Sequence, residues 1–227
     1  MSKIPLSMKP KKFEIDRAIA LLKQSSKRWD ATTIAQVAEE TSDPFKILVS
    51  TVLSARTKDE TTAEASKRLY KLASTPQEMV KLTTNQIEKA IYPVGFYRTK
   101  AKNVLSLCQT LIEKYNEKVP DKLEDLMTLK GVGRKTANLV VTMAFQKHGI
   151  CVDTHVHRIS NRWGLVKTKN PKETEFALYK VLPKKYWITY NDLLVSFGQN
   201  VCKPISPLCS ICPIENLCPK IGVTKHR

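Results

Sequence analysis

Glycine is scarce in this chain, seven in 227 residues. Where it does occur, it points to a backbone conformation or a close approach that other residues resist. Acidic side chains are also outnumbered: 21 Asp and Glu face 38 Lys and Arg, a formal charge of +17. That excess is larger than solubility requires and makes a polyanion the expected partner, nucleic acid ahead of an anionic membrane surface. No stretch reaches the ~18 apolar residues that a spanning helix needs, and the opening "MSKIPLSMKPKK" lacks the apolar core of a secretion signal. The expectation is a soluble, intracellular protein with no membrane partner. Missing too is any period-two alternation bounded by turn residues, which removes the usual mark of strands. In a reducing compartment the six cysteines suggest metal ligation or buried thiols rather than disulfides.

What the chain has instead is helical periodicity with repeated start signals. Thr75-Pro76-Glu78 and Asn170-Pro171-Glu173 each combine an N-cap, a proline in the first turn and an acid at the third position, and Asp43-Pro44 opens "PFKILVSTVLSA" in the same way. Val104, Leu105, Cys108, Leu111, Ile112 and Tyr115 form a helical apolar stripe, which makes Cys108 a core thiol; Cys151 reads the same way. The fold class is all-α, and the length suits two lobes.

Two of the scarce glycines fall together in "LKGVGRKTAN". A helix ending near "EDLMTLK" would turn through Gly131, Val132 and Gly133 into a second helix starting around Arg134. The open N–H groups and dipole of that second helix would form a nest for a phosphate oxygen. An ordinary glycine-turned helix pair is the alternative. Lys135, in the first turn of the new helix, reads either as another phosphate-binding cation or, once deprotonated, as a nucleophile for carbon electrophiles such as an anomeric carbon. Downstream in "VDTHVHR", Asp153 is either a plain N-cap or a carboxylate able to stabilise a developing oxocarbenium ion. Asp153, His155 and His157 alternate, but on a helix such side chains diverge, so metal binding there is not expected.

Cys202, Cys209, Cys212 and Cys218 form a C-x6-C-x2-C-x5-C run within "CKPISPLCSICPIENLC". Four thiols in so short and proline-rich a segment point to a four-coordinate metal centre, zinc or iron-sulfur, which would organise the C-terminus.

Lys135 in "LKGVGRKTAN", Asp153 in "VDTH" and the four cysteines, in this order and spacing, resemble the endonuclease III family of helix-hairpin-helix DNA glycosylases that carry a [4Fe-4S] cluster. The likeness runs from "LVSTVLSARTKD" through "IYPVGFYRTKAKNV" to Cys218. It implies a two-lobed fold, with a six-helix barrel domain at 37–147 and a second domain built from 1–36 and 148–227 that carries the cluster loop at 202–218. It implies, further, a monomeric bifunctional DNA glycosylase and AP lyase that removes oxidised pyrimidines from duplex DNA. Lys135 would be the nucleophile at C1′ and Asp153 the carboxylate that assists it. Gly131, Val132, Gly133, Arg134 and His155 would lie against DNA, and Val94 and Phe96 would wedge into the duplex. Arg56 stands where bacterial members commonly carry glutamine; it would fill the vacated space and could bind a phosphate or the orphan base. A monofunctional mismatch glycosylase, which usually lacks the lysine, and a non-catalytic iron-sulfur DNA-binding protein are the alternatives.

Overall fold

The computed structural model describes residues 13–29 and 32–227. Among these residues it contains twelve α-helices, two short 3-10 turns and no strand, as the absence of alternation predicts. They are α1 (Ile15–Ser26), α2 (Thr33–Thr41), α3 (Pro44–Ser54), α4 (Asp59–Leu72), α5 (Pro76–Met79), α6 (Thr84–Ile91), α7 (Tyr97–Tyr115), α8 (Leu123–Leu126), α9 (Arg134–Phe145), α10 (Thr154–Arg162), α11 (Pro171–Val181) and α12 (Tyr190–Asn200).

Local chemistry sets many of the starts. Thr75 and Glu78 close a reciprocal capping box, Asp43 accepts the Phe45 N–H ahead of Pro44, and Asn170 accepts the Glu173 N–H ahead of Pro171. Helix α3 is apolar almost all round, with every residue from Ile47 to Leu53 buried, and such a helix belongs at the centre of a lobe. Helices α4, α7 and α9 pack around it. The resulting core runs from Phe45 to Val141 and includes Cys108 from the predicted stripe on α7.

A second core gathers Ala18, Ile19 and Leu22 of α1 with residues from Ile150 to Ile214. Trp163 is its hub: Phe13 stacks on it with ring centroids 5.0 Å apart, and Tyr190 meets it edge-on at 6.4 Å. The N-terminal helix is thereby folded onto the C-terminal half of the chain. Between the two cores Ile34, Ile47, Leu139 and Cys151 form a small apolar bridge.

Candidate active site

The hairpin turn uses its glycines differently. Gly131 sits at φ +82, and a Cβ there would lie 2.7 Å from Asn103 Nδ2, so this position needs glycine for both conformation and room. Gly133 is the N-cap of α9 in an extended conformation, with nothing within 4 Å of a would-be Cβ. Only the first of the two glycines therefore supplies positive φ. What the second provides is open space in front of a twelve-residue helix whose first turn has no side-chain cap. Such an uncapped end, carrying the positive pole of the dipole, suits an anion.

Lys135 projects from that first turn and is exposed. Beneath it lies Cys151, fully buried. The Cys151 Sγ–H donates to the Lys135 carbonyl oxygen at 3.5 Å, and its own carbonyl accepts from Asn191 Nδ2 at 3.2 Å. Burial pushes this thiol up to about 12, and both Lys135 and Asp153 act on it electrostatically. The helix start bearing Lys135 and the irregular segment leading into Asp153 are thus joined through one buried side chain. Asp153 caps α10: its Oδ1 accepts the N–H groups of His155 and Val156, both at 2.9 Å. The capping reading of Asp153 is correct, and it is compatible with a catalytic one, because the cap fixes the carboxylate while drawing on a single oxygen.

Arg134 is already engaged. Its Nε donates to both carboxylate oxygens of Glu175 at 3.0 and 2.9 Å, and its Nη2 donates to Oε1 at 2.8 Å. Glu175 is 4% exposed. Asn138 Nδ2 adds a donor to Glu175 at 3.2 Å, and the guanidinium lies 5.1 Å over the Phe176 ring. A buried carboxylate needs such a partner, and Arg134 supplies it while tying α9 to α11. Val132 is buried in the first core, leaving only the backbone of the turn to face a ligand.

His155 turns inward under Gly198 of α12, where a Cβ would stand 2.2 Å from its Nδ1. Arg158 Nη2 donates to that nitrogen at 3.1 Å and to the Cys202 carbonyl at 2.8 Å. Because arginine has no acceptor, Nδ1 must be unprotonated in this contact. Burial lowers the imidazole's pKa, and Arg158 and Lys135 lower it further, against the opposing pull of Asp153 and Asp59.

The expected wedge divides. Val94 is 1% exposed and belongs to the first core, so it is a packing residue and not a wedge. Its aliphatic side chain gains more from that core than from water. Phe96 is 63% exposed at a left-handed φ of +57. Arg56, also left-handed at φ +55, holds its guanidinium 5.6 Å over the Phe96 ring. These two side chains form one exposed pair drawn from separate turns.

The four cysteines line a single cavity with Trp163, Phe197, Leu208 and Ile214. Among the described residues no three His, Cys, Asp or Glu side chains stand near enough to hold a metal ion together, and all six cysteines are free. Burial raises the thiols of Cys209 and Cys218, and that of Cys212 to about 12. Arg162 reaches in from α10, donating to Cys202 Sγ at 3.3 Å and to the carbonyls of Lys203 and Pro204, both at 2.7 Å. Four sulfurs facing one apolar cavity, with a buried guanidinium at its edge, are a donor set suited to a soft metal or cluster.

Glu175, Asn191 and Arg158 were not singled out in the sequence, and Cys151 was read only as a core thiol. The one available hint was a carboxylate on the apolar stripe of α11, where Thr174, Glu175 and Leu178 are the buried positions.

Comparison with known proteins gives this geometry a context. Residues 49–184 match the model of the HhH-GPD superfamily base excision DNA repair proteins. Endonuclease III of Thermotoga maritima is 51% identical over 176 residues, 78% of this chain and 83% of the relative. The chloroplastic endonuclease III homolog 2 of Arabidopsis thaliana is 44% identical over 77% of the chain, which spans only 48% of that longer protein. Among solved structures, a trapped endonuclease III–DNA covalent intermediate with an estranged adenine superposes with a TM-score of 0.79 at 35% identity, covering 91% of this chain and 95% of the other. A buried thiol under an exposed lysine, an uncapped helix end and a fixed carboxylate therefore sit in a frame that has already been observed on DNA, and the chain belongs to the endonuclease III family of HhH-GPD base excision DNA repair proteins.

Proposed function

We propose that this protein is a bifunctional DNA glycosylase and AP lyase that removes oxidised pyrimidines from duplex DNA. DNA glycosylase and AP lyase activity follows from family membership. The lesion class and the residue roles are our reading. The observation that carries it is the join through Cys151, which ties exposed Lys135 to the segment that presents Asp153.

The reaction requires the damaged nucleotide outside the stack, since its C1′ is unreachable within it. The free amine of Lys135 attacks C1′, the N-glycosidic bond breaks, and the base leaves with the bonding pair. Positive charge shared between C1′ and the ring oxygen develops as the bond lengthens, and the Asp153 carboxylate opposes it. Opening of the sugar ring gives an iminium between Lys135 and C1′. Loss of a C2′ proton then expels the 3′ phosphate, which cuts the strand, and water releases the lysine. The open amides of the α9 start would hold a backbone phosphate while Phe96 and Arg56 fill the helix where the nucleotide leaves.

We propose the division into a barrel domain at 37–147 and a composite domain at 1–36 and 148–227, a reading that the two separate cores support. The cofactor would be a [4Fe-4S] cluster held by Cys202, Cys209, Cys212 and Cys218. Its contribution would be to organise residues 202–218, whose regular structure is one short 3-10 turn at Cys209–Ile211. The partner is double-stranded DNA with a damaged base or abasic site, bound by a monomer inside the cell.

The test is strand cleavage of a duplex with one thymine glycol. The native protein should release the base and nick 3′ to it, while Lys135→Gln should bind the duplex yet leave it uncut. Base release without nicking by the native protein would favour the monofunctional alternative.

A further inference from the structure

We propose that Lys100 is a positioning residue for duplex opening, whose ammonium locks the turn carrying Arg56 to the turn carrying Phe96 so that both side chains enter DNA as one wedge. This deepens the reading above and rests on it. Lys100 lies in the first turn of α7 and is 6% exposed. Its ammonium donates to the carbonyls of Leu53 at 2.7 Å and Ala55 at 2.5 Å, and to Thr57 Oγ1 at 3.1 Å. The first of these is an otherwise open carbonyl in the last turn of α3, where a cation is favoured by the dipole. Thr57 Oγ1 in turn accepts the Gly95 N–H at 3.2 Å. One hydrogen-bonded path therefore runs from α7 through the α3–α4 turn to the 92–96 turn.

The two turns are also pressed together. A Cβ on Gly95 would stand 2.5 Å from the Arg56 carbonyl oxygen. On the far side, Arg68 of α4 donates Nε to the Ala90 carbonyl at 2.8 Å and Nη2 to the Tyr92 carbonyl. Between these fastenings Arg56 and Phe96 both hold left-handed backbone. Such conformations are unfavourable for non-glycine residues and persist only where the surroundings over-determine them.

Simple packing does not explain a lysine here. Burial lowers its pKa to about 8, a sign of the desolvation that leucine or methionine would avoid. What a hydrocarbon cannot supply is three donors converging on residues 53–57, one of them to the Thr57 hydroxyl that also accepts the Gly95 N–H.

The test uses a duplex in which a tetrahydrofuran abasic analogue faces 2-aminopurine, a base that fluoresces when unstacked. It is paired with cleavage at a true abasic site in duplex and in single-stranded DNA. Lys100→Met should lower the fluorescence rise at saturating protein. It should also lower the ratio of duplex to single-strand cleavage on the order of tenfold, through kcat more than KM, the scale expected from displacement of a positioned group. Thr57→Val, which interrupts the path to Gly95 with little change of shape, should reproduce both effects and answers the question if Lys100→Met does not fold. Adding Phe96→Ala to Lys100→Met should lower the ratio no further than Phe96→Ala alone. An undiminished fluorescence rise, or equal losses on duplex and single strand, overturns the inference. If the native protein cleaves neither substrate, the proposed function fails, and the fluorescence arm, which needs only binding, still decides the role of Lys100.

Discussion

His155 shows how burial turns one side chain into a pH-sensitive part. Folding places its imidazole under Gly198 with Arg158 donating to Nδ1, and lowers its pKa below the ordinary 6.5. The sign follows directly: the unfolded chain takes up the proton first as pH falls, so the stability this residue contributes is whole above 6.5 and drains away as pH drops toward the lowered folded value. Urea unfolding at pH 7.5 and at pH 5 should show a loss in the native protein that is smaller in His155→Gln. Equal losses in both would mean that another group carries the acid sensitivity. The same scale explains what the sequence left unread. The pairing of Arg134 was not visible because its partner Glu175 lies 41 positions away, and nothing local marks it. Val94 and Phe96 alternate in a turn, yet one is 1% exposed and the other 63%, a difference set by packing that no short motif encodes.

Helix α9 and the turn before it separate two uses of glycine, and substitution separates them again. Gly131→Ala must adopt φ +82 and displace Asn103, which should cost about 1–2 kcal/mol from the backbone alone. Gly133→Ala meets no atom within 4 Å and has an ordinary φ of −90, so its melting temperature should stay close to native while its methyl group narrows the approach to the α9 amides and weakens duplex binding. Thermal melting and a titration with labelled duplex check the pair; a Gly133→Ala protein with native affinity would remove the anion nest from the account of binding. At this level much was legible. Asp43, Thr75 and Asn170 cap the helices they were expected to cap, because caps depend on neighbours two or three residues away. The Lys100 path was not singled out, although a lysine in register with Val104, Leu107 and Leu111 on a buried stripe is a signal that the sequence does contain.

Over the whole molecule, the net charge of +17 already pointed to a polyanion partner, in keeping with membership of a DNA repair family, since net charge is a property of the chain that folding only redistributes. Three-dimensional structure adds the linkage between parts: α10 is capped by Asp153, and through Arg158 and Arg162 it grips the Cys202 loop. The purified protein should carry the visible absorbance of an iron-sulfur centre, where zinc would leave it colourless. Stripping the cluster, or Cys212→Ser, should remove the colour and open residues 203–217 to limited proteolysis, with little change in helix content, because that segment is mostly irregular. A colourless protein whose C-terminal segment resists protease equally before and after chelation would argue against the cluster.

Borohydride reduction of the protein bound to a duplex with an abasic site tests the assignment of Lys135 most directly. The native protein should form a covalent DNA adduct that Lys135→Gln cannot form, with peptide mapping placing the DNA on Lys135. An adduct of undiminished yield in Lys135→Gln, or one mapped to another residue, would contradict the assignment of the nucleophile on which the mechanism stands.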